Sequence, residues 1–172
     1  MQSFGRRAVK APDLAFIRDV TRTALSVAGG AGFVLAGSGA IREHGLTSRP
    51  TYDVDLFAES TLAGKDFVAV VDRTVDAFEE RGWTVVWVKR GETFVQLTVS
   101  DVSGRAVGVD FGVDWRAESP ALLSVGPVLA IEDAVGNKVA AAFSRAEIRD
   151  LLDIDSIRRS GAFSDEELLA LG

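Results

Sequence analysis

Apolar positions recur along this chain with two periods, and each change of period marks an element. From Leu14 they fall at Ile17, Val20, Leu25 and Val27, a helical spacing that leaves Arg18 and Arg22 on another face. Pro12-Asp13 opens this helix and Gly29-Gly30 closes it. A second amphipathic helix is predicted from Gly64 to Arg81, with Phe67, Val70, Val71, Val75 and Phe78 on its apolar side and Gly82 behind it. Between the two helices, Phe33-Val34-Leu35-Ala36 reads as a buried strand that stops at Gly37-Ser38-Gly39, where a helical segment, Ala40 to His44, begins. Residues 45–52 read as a loop, and a further strand carries Asp53 and Asp55.

Three more strands are predicted, Trp83 to Val88, Phe94 to Val99 and Ala106 to Phe111, the first two joined by a hairpin turn containing Gly91. From Pro127 the pattern becomes wholly helical. Ile131 to Phe143 forms one helix, a Ser144-x-x-Glu147 capping box starts the next, Arg145 to Arg159, and Asp165 to Leu171 is a short last one. These elements predict an α/β (α+β) fold with a mixed sheet of four or five strands and flanking helices. Residues 1–126 make the core and residues 127–172 a helical part packed on it.

Composition narrows the chemistry. The 172 residues are 47% hydrophobic, enough for one well-filled core. There is no cysteine and only one histidine, His44, so carboxylates are left as the metal ligands. No apolar run reaches the roughly 18 residues of a membrane span, and the first residues lack the apolar core of a signal peptide. A soluble, cytoplasmic protein is expected. The net charge of −6 argues against diffuse nucleic-acid binding. Basic residues that could form a local patch are Arg6, Arg7, Lys10, Arg18 and Arg22 early in the chain, and Arg145, Arg149, Arg158 and Arg159 late in it.

Alternate residues of a strand share a face, so Asp53 and Asp55 lie side by side while Val54 and Leu56 point the other way. Two carboxylates so placed repel unless a cation lies between them. Oxygen ligands select a hard cation, Mg²⁺ first, which normally brings a phosphate with it. The Gly37-Ser38 turn offers that phosphate backbone N–H groups and a hydroxyl. Asp110 stands between Val109 and Phe111, and a buried lone carboxylate costs several kcal/mol unless it is paired or on a metal. It is the third expected metal carboxylate. Asp114, on the same face, is its rival and more easily a solvated strand end. Lys138, among Val139, Ala140 and Ala141, either snorkels to solvent or is aimed at an anion. Arg49 either reaches a phosphate or is simply exposed. On one continuous helix Lys138, Arg145, Arg149 and Asp153 would share a face, unless the helix breaks at Ser144.

Gly-Ser at the end of one strand with Asp-x-Asp on the next resembles the DNA polymerase beta nucleotidyltransferase superfamily. With Lys138 and Arg149-Asp150-Leu151-Leu152-Asp153 added, the order of motifs is similar to the AbiEii-type nucleotidyltransferase toxins of abortive-infection and toxin-antitoxin systems. The loop between the two early motifs is longer than usual for that family, and Arg149 stands where the family often has Lys. The resemblance implies transfer of a nucleoside monophosphate from an NTP to an acceptor hydroxyl, on transfer RNA in several members, with a cognate antitoxin as partner. It assigns Mg²⁺ to Asp53, Asp55 and Asp110, the nucleotide to Gly37, Ser38, Lys138 and Arg149, and catalytic roles to Asp53, Asp55, Lys138, Asp150 and Asp153. Of the last two, Asp153 is expected to face the pocket, because on an ideal helix Asp150 points roughly 120° away from Lys138. The rivals are a small-molecule nucleotidyltransferase of the aminoglycoside-modifying kind and a non-catalytic nucleotide-binding module.

Overall fold

Alternation along the middle strands decides which side of the sheet carries chemistry. A computed structural model of the chain describes residues 13–145 and 147–172, the side chain of Arg145 excepted. Arg6, Arg7 and Lys10 lie outside the described residues. The strands are β1 (Val34–Leu35), β2 (Asp53–Ala58), β3 (Thr84–Lys89), β4 (Phe94–Ser100), β5 (Ala106–Val113), β6 (Ala121–Leu123) and β7 (Gly126–Val128). They form one mixed sheet in the order β3-β4-β5-β2-β1-β7-β6. β2 runs parallel to β5 and β1 parallel to β7, and the other neighbours are antiparallel.

One face of β2, β4 and β5 presents Val54, Leu56, Val95, Leu97, Val99, Val107, Val109 and Phe111, all buried. Helices α1 (Leu14–Ala28) and α3 (Lys65–Glu80) close over it. Asp13 caps α1, its carboxylate accepting from the N–H of Phe16 at 2.9 Å. The rings of Phe33 and Phe111 meet edge to face with centroids 5.5 Å apart, and Phe16 meets Trp83 at 5.4 Å. Each such side chain contributes about 1.5–3 kcal/mol by leaving water. Asp53, Asp55, Gln96 and Asp110 take the alternate positions and look out from the opposite face, none of them fully buried.

The short helix α2 (Gly37–Glu43) leaves the end of β1, and His44 after it pairs through Nε2 with the Leu129 carbonyl at 2.8 Å. Helices α4 (Ile131–Arg145), α5 (Ile148–Ser160) and α6 (Asp165–Leu171) pack together at the C-terminal end.

Three expectations are corrected. Among the described residues the sheet has seven strands, not four or five, because Ala121–Leu123 and Gly126–Val128 add a hairpin beyond β1. The chain is therefore not yet helical at Pro127, which sits inside β7. Ser144 does not cap a helix: it stays in the last turn of α4 and donates to the Ala141 carbonyl at 3.3 Å, while Glu147 stands at the N-cap of α5 without a side-chain capping hydrogen bond. A complete capping box occurs instead at Ser164 and Glu167, at the start of α6. Lys138 and Asp153 consequently lie on two helices rather than along one face of a single helix.

Candidate active site

The chain passes from β1 into α2 through Gly37, whose φ of +57° lies in the left-handed region open to glycine. Contact requires glycine as well, since a Cβ at this position would overlap the carboxylate of Asp55. The α2 backbone is thereby pressed against the open face of β2. It bounds a cavity of about 630 Å³ whose lining includes Gly37, Ser38, Arg49, Asp53, Asp55, Asp110, Lys138 and Arg149.

The parallel register of β2 and β5 sets Asp55 directly beside Asp110, on strands about 4.8 Å apart. Asp53 lies two residues before Asp55 on the same face. Burial pushes the Asp55 carboxyl up to about 7, with the negative charges of Asp53 and Asp110 adding to it and Lys138 and Arg149 opposing it. Asp110 is raised as well, chiefly by burial, although Gln96 Nε2 donates to its Oδ1 at 2.9 Å. Among the described residues no group of three or more Asp, Glu, His or Cys side chains is gathered so as to hold a metal ion by itself. The chemistry of Asp53, Asp55 and Asp110 nonetheless fits Mg²⁺: three carboxylates on one face, in a cavity where phosphate oxygens could complete the coordination. Asp114 is exposed just past β5 at the cavity edge, as a solvated strand end would be.

Behind this surface lies a buried polar network. Lys138 Nζ stands 3.2 Å from Asp150 Oδ1 and 3.1 Å from Asp153 Oδ2. Ser38 Oγ donates to Asp153 Oδ2 at 2.7 Å, and Arg49 gives Asp153 Oδ1 two donors, Nε at 2.9 Å and Nη2 at 2.7 Å. Both aspartates are fully buried. Asp153 was expected to face the cavity and Asp150 to point away from Lys138; with Lys138 on α4 and the aspartates on α5, both reach the lysine from behind the cavity wall. Lys138 is therefore neither snorkelling nor free for an anion in this state. Arg149, half exposed, pairs with Glu147 at 2.6 Å and approaches Asp53 Oδ2 at 3.9 Å.

Arg49 is the residue that sequence reasoning undervalued. Its position four residues before Asp53, in a loop that must return to β2, was the available signal. Gln96 was also missed, though a polar residue at an alternating strand position marks the open face. The described arginines proposed as a late basic patch are matched by carboxylates of their own chain: Arg158 with Asp165 at 2.6 Å and Arg159 with Asp155 at 2.7 Å. In the early set, Arg18 pairs with Glu43 at 3.1 Å.

Comparison with known proteins adds the family. The family model described as nucleotidyl transferase AbiEii toxin, Type IV TA system, matches residues 21–171. No match is found among the curated proteins. Among solved structures, JHP933 from Helicobacter pylori is similar with a TM-score of 0.63 at 16% identity, over 94% of this chain and 74% of that one. MenT4, a nucleotidyltransferase toxin from Mycobacterium tuberculosis H37Rv, gives 0.62 at 21% identity, over 90% of this chain but only 61% of its own. ANT(2'')-Ia, solved in complex with adenylyl-2''-tobramycin, gives 0.58 at 14% identity, over 90% of this chain and 93% of that one. At such identities these likenesses speak for the fold. The family match spans most of the sequence, and the chain therefore belongs to the AbiEii nucleotidyl transferase toxin family and is a nucleotidyltransferase.

Proposed function

We propose that this chain transfers a nucleoside monophosphate from an NTP to the hydroxyl of a transfer RNA, with Mg²⁺ held by Asp53, Asp55 and Asp110, as the cytoplasmic toxin of a module that includes a cognate antitoxin. The observation that carries the reading is the setting of Asp55, register partner of Asp110 and two residues from Asp53 on one open sheet face, with the Gly37 backbone against it; burial and the two neighbouring carboxylates push its carboxyl up. When bound, Mg²⁺ supplies charge neutralisation on the phosphates and lowers the pKa of the attacking hydroxyl.

The chain's own residues orient the rest. The Gly37 turn and Ser38 grip the outer phosphates. Arg149 opposes the negative charge that builds on them. Asp150 and Asp153 hold Lys138 and Ser38 in place from behind. The acceptor oxygen forms a bond to the α-phosphorus, the bond from that phosphorus to the β-phosphate oxygen breaks, and pyrophosphate leaves. The hydroxyl proton passes to a carboxylate oxygen of Asp110.

A second reading, transfer to an aminoglycoside, draws support from Asp114, an exposed carboxylate at the cavity edge that could hold an amino group. The test is to incubate the purified chain with each labelled NTP, Mg²⁺ and transfer RNA, and separately with an aminoglycoside. Labelling of the RNA 3′ end that is abolished by EDTA is the expected result; label on the small molecule alone gives the second reading.

A further inference from the structure

The open sheet face continues past the carboxylates to two aromatic rings. β2 presents Asp53, Asp55 and Phe57 in successive two-residue steps, each about 6.6 Å. In the adjoining strands Gly112 of β5 is the register partner both of Phe57 on β2 and of Phe94 on β4. Phe57 and Phe94 are partly exposed and line the same cavity as the carboxylates. Gly112 is what admits the Phe57 ring: a Cβ there would overlap it. The Nζ of Lys89 stands 5.0 Å from the centre of the Phe94 ring.

Direction follows from the antiparallel pairing of β1 with β2, which sets Val34 opposite Phe57. Ser38, beyond the other end of β1, is thus on the far side of Asp55 from Phe57. In a phosphoryl-type transfer the attacking and leaving oxygens lie roughly in line across phosphorus. With pyrophosphate leaving toward Ser38, the acceptor oxygen enters from the Phe57 side.

We infer that Phe57 and Phe94 form the acceptor subsite and that they stack a nucleobase on the sugar whose hydroxyl reacts, with Lys89 at the rim to meet the adjoining phosphate. The inference rests on the nucleotidyl-transfer reading and deepens it. The oxygen of that sugar's hydroxyl forms the new bond to the α-phosphorus as the bond to pyrophosphate breaks. Aromatic faces suit a base, and stacking needs no sequence preference. An acceptor made only of aminated sugars has no flat ring for them. Stacking also suits a chain whose described late-helix arginines are already paired with its own carboxylates.

The probe is a short single-stranded RNA with 2-aminopurine as its 3′-terminal base, titrated into the full chain without NTP, so that binding is read apart from transfer. Wild type should quench the emission, and an RNA of the same length ending in an abasic sugar should bind about tenfold more weakly or worse. Phe57→Leu and Phe94→Leu should lose the quench and raise KM for RNA more than KM for NTP, while Phe94→Trp, which keeps an aromatic face, should retain it. The Trp variant and the abasic RNA separate loss of the ring from a damaged fold. Equal affinity for abasic and base-ended RNA, or quenching that survives both leucine variants, overturns the subsite. Absence of transfer to every acceptor, with the quench intact, would count against the nucleotidyl-transfer reading instead.

Discussion

Arg49 and Asp153, separated by 104 positions in sequence, are joined side-on, with Nε and Nη2 of the guanidinium 2.9 and 2.7 Å from a single carboxylate oxygen. Because Asp153 is fully buried and also accepts from Ser38, this pair fastens α5 to the loop before β2. Removing Arg49 strips both of its donors from Asp153 Oδ1, while Lys138 and Ser38 still hold Oδ2. Arg49→Met should therefore cost about 1.5–3 kcal/mol in denaturant unfolding, and a double-mutant cycle with Asp153→Asn should show coupling above about 1 kcal/mol. Additive effects would mean the pair contributes little.

Gly37→Ala tests the close approach at Asp55. The new methyl meets the carboxylate, and the backbone is in a region that alanine adopts with strain. The chain should still fold, since the rest of α2 is unchanged, but kcat/KM should fall about a hundredfold from displacement of the carboxylate. Steady-state kinetics and circular dichroism on the same preparation check this.

Asp55 also predicts how stability depends on pH. Its folded-state carboxyl is raised from 3.8 to about 7, so across that window the folded chain binds the proton more tightly than the unfolded chain. Stability in EDTA should fall as pH rises through the window, by up to about 4 kcal/mol. Asp55→Asn should flatten the dependence and melt higher than wild type near neutral pH, with transfer activity lost. Mg²⁺ should restore wild-type stability in the same range, because a cation favours the ionised carboxylate. Thermal melts at a few pH values, with and without Mg²⁺, provide the measurement.

Lys138 has two buried aspartates within 3.2 Å, so its loss should be felt in the fold before the chemistry. Lys138→Met is expected to cost about 3–5 kcal/mol. Lys138→Arg, which keeps the charge but not the shape, should recover part of the stability and little of the activity. Unchanged unfolding in the Met variant would return this lysine to the surface.

The core strands and α1, α3 and α6 were legible because their apolar residues keep period for several turns or pairs. That Asp53, Asp55 and Asp110 share one sheet face was legible for the same reason, since strand alternation decides which residues point the same way. β6 and β7 were not: three residues each, with Pro127 inside one, give periodicity nothing to act on, and they are held by pairing with each other and, through β7, with β1. The Ser144 box failed because a capping motif is local, and the packing of α4 on α5 and α6 carried the helix past it. The roles of Arg49, Asp150 and Asp153 depend on contacts across more than a hundred positions, or across two helices, that no spacing along the chain expresses.

If RNA is the acceptor, pairing of Arg18, Arg149, Arg158 and Arg159 with carboxylates of their own chain limits how strongly its affinity depends on salt. The logarithmic slope should be about −1 to −2, as for one or two phosphate contacts to a single strand. Filter binding between low and moderate salt measures it. A slope several times steeper would implicate Arg6, Arg7 and Lys10.

The tie from Ser38 to Asp153 crosses 115 positions, and that separation governs when the cleft is finished during synthesis. A growing chain displays Gly37, Asp53, Asp55 and Asp110 well before α5 exists, and closing so long a loop is slow. Until α5 docks, Ser38 and Arg49 have no carboxylate to hold them. A ribosome stalled before α5 would thus carry an unfinished cleft, and the host cell would meet a competent toxin only once α5 has been made and packed.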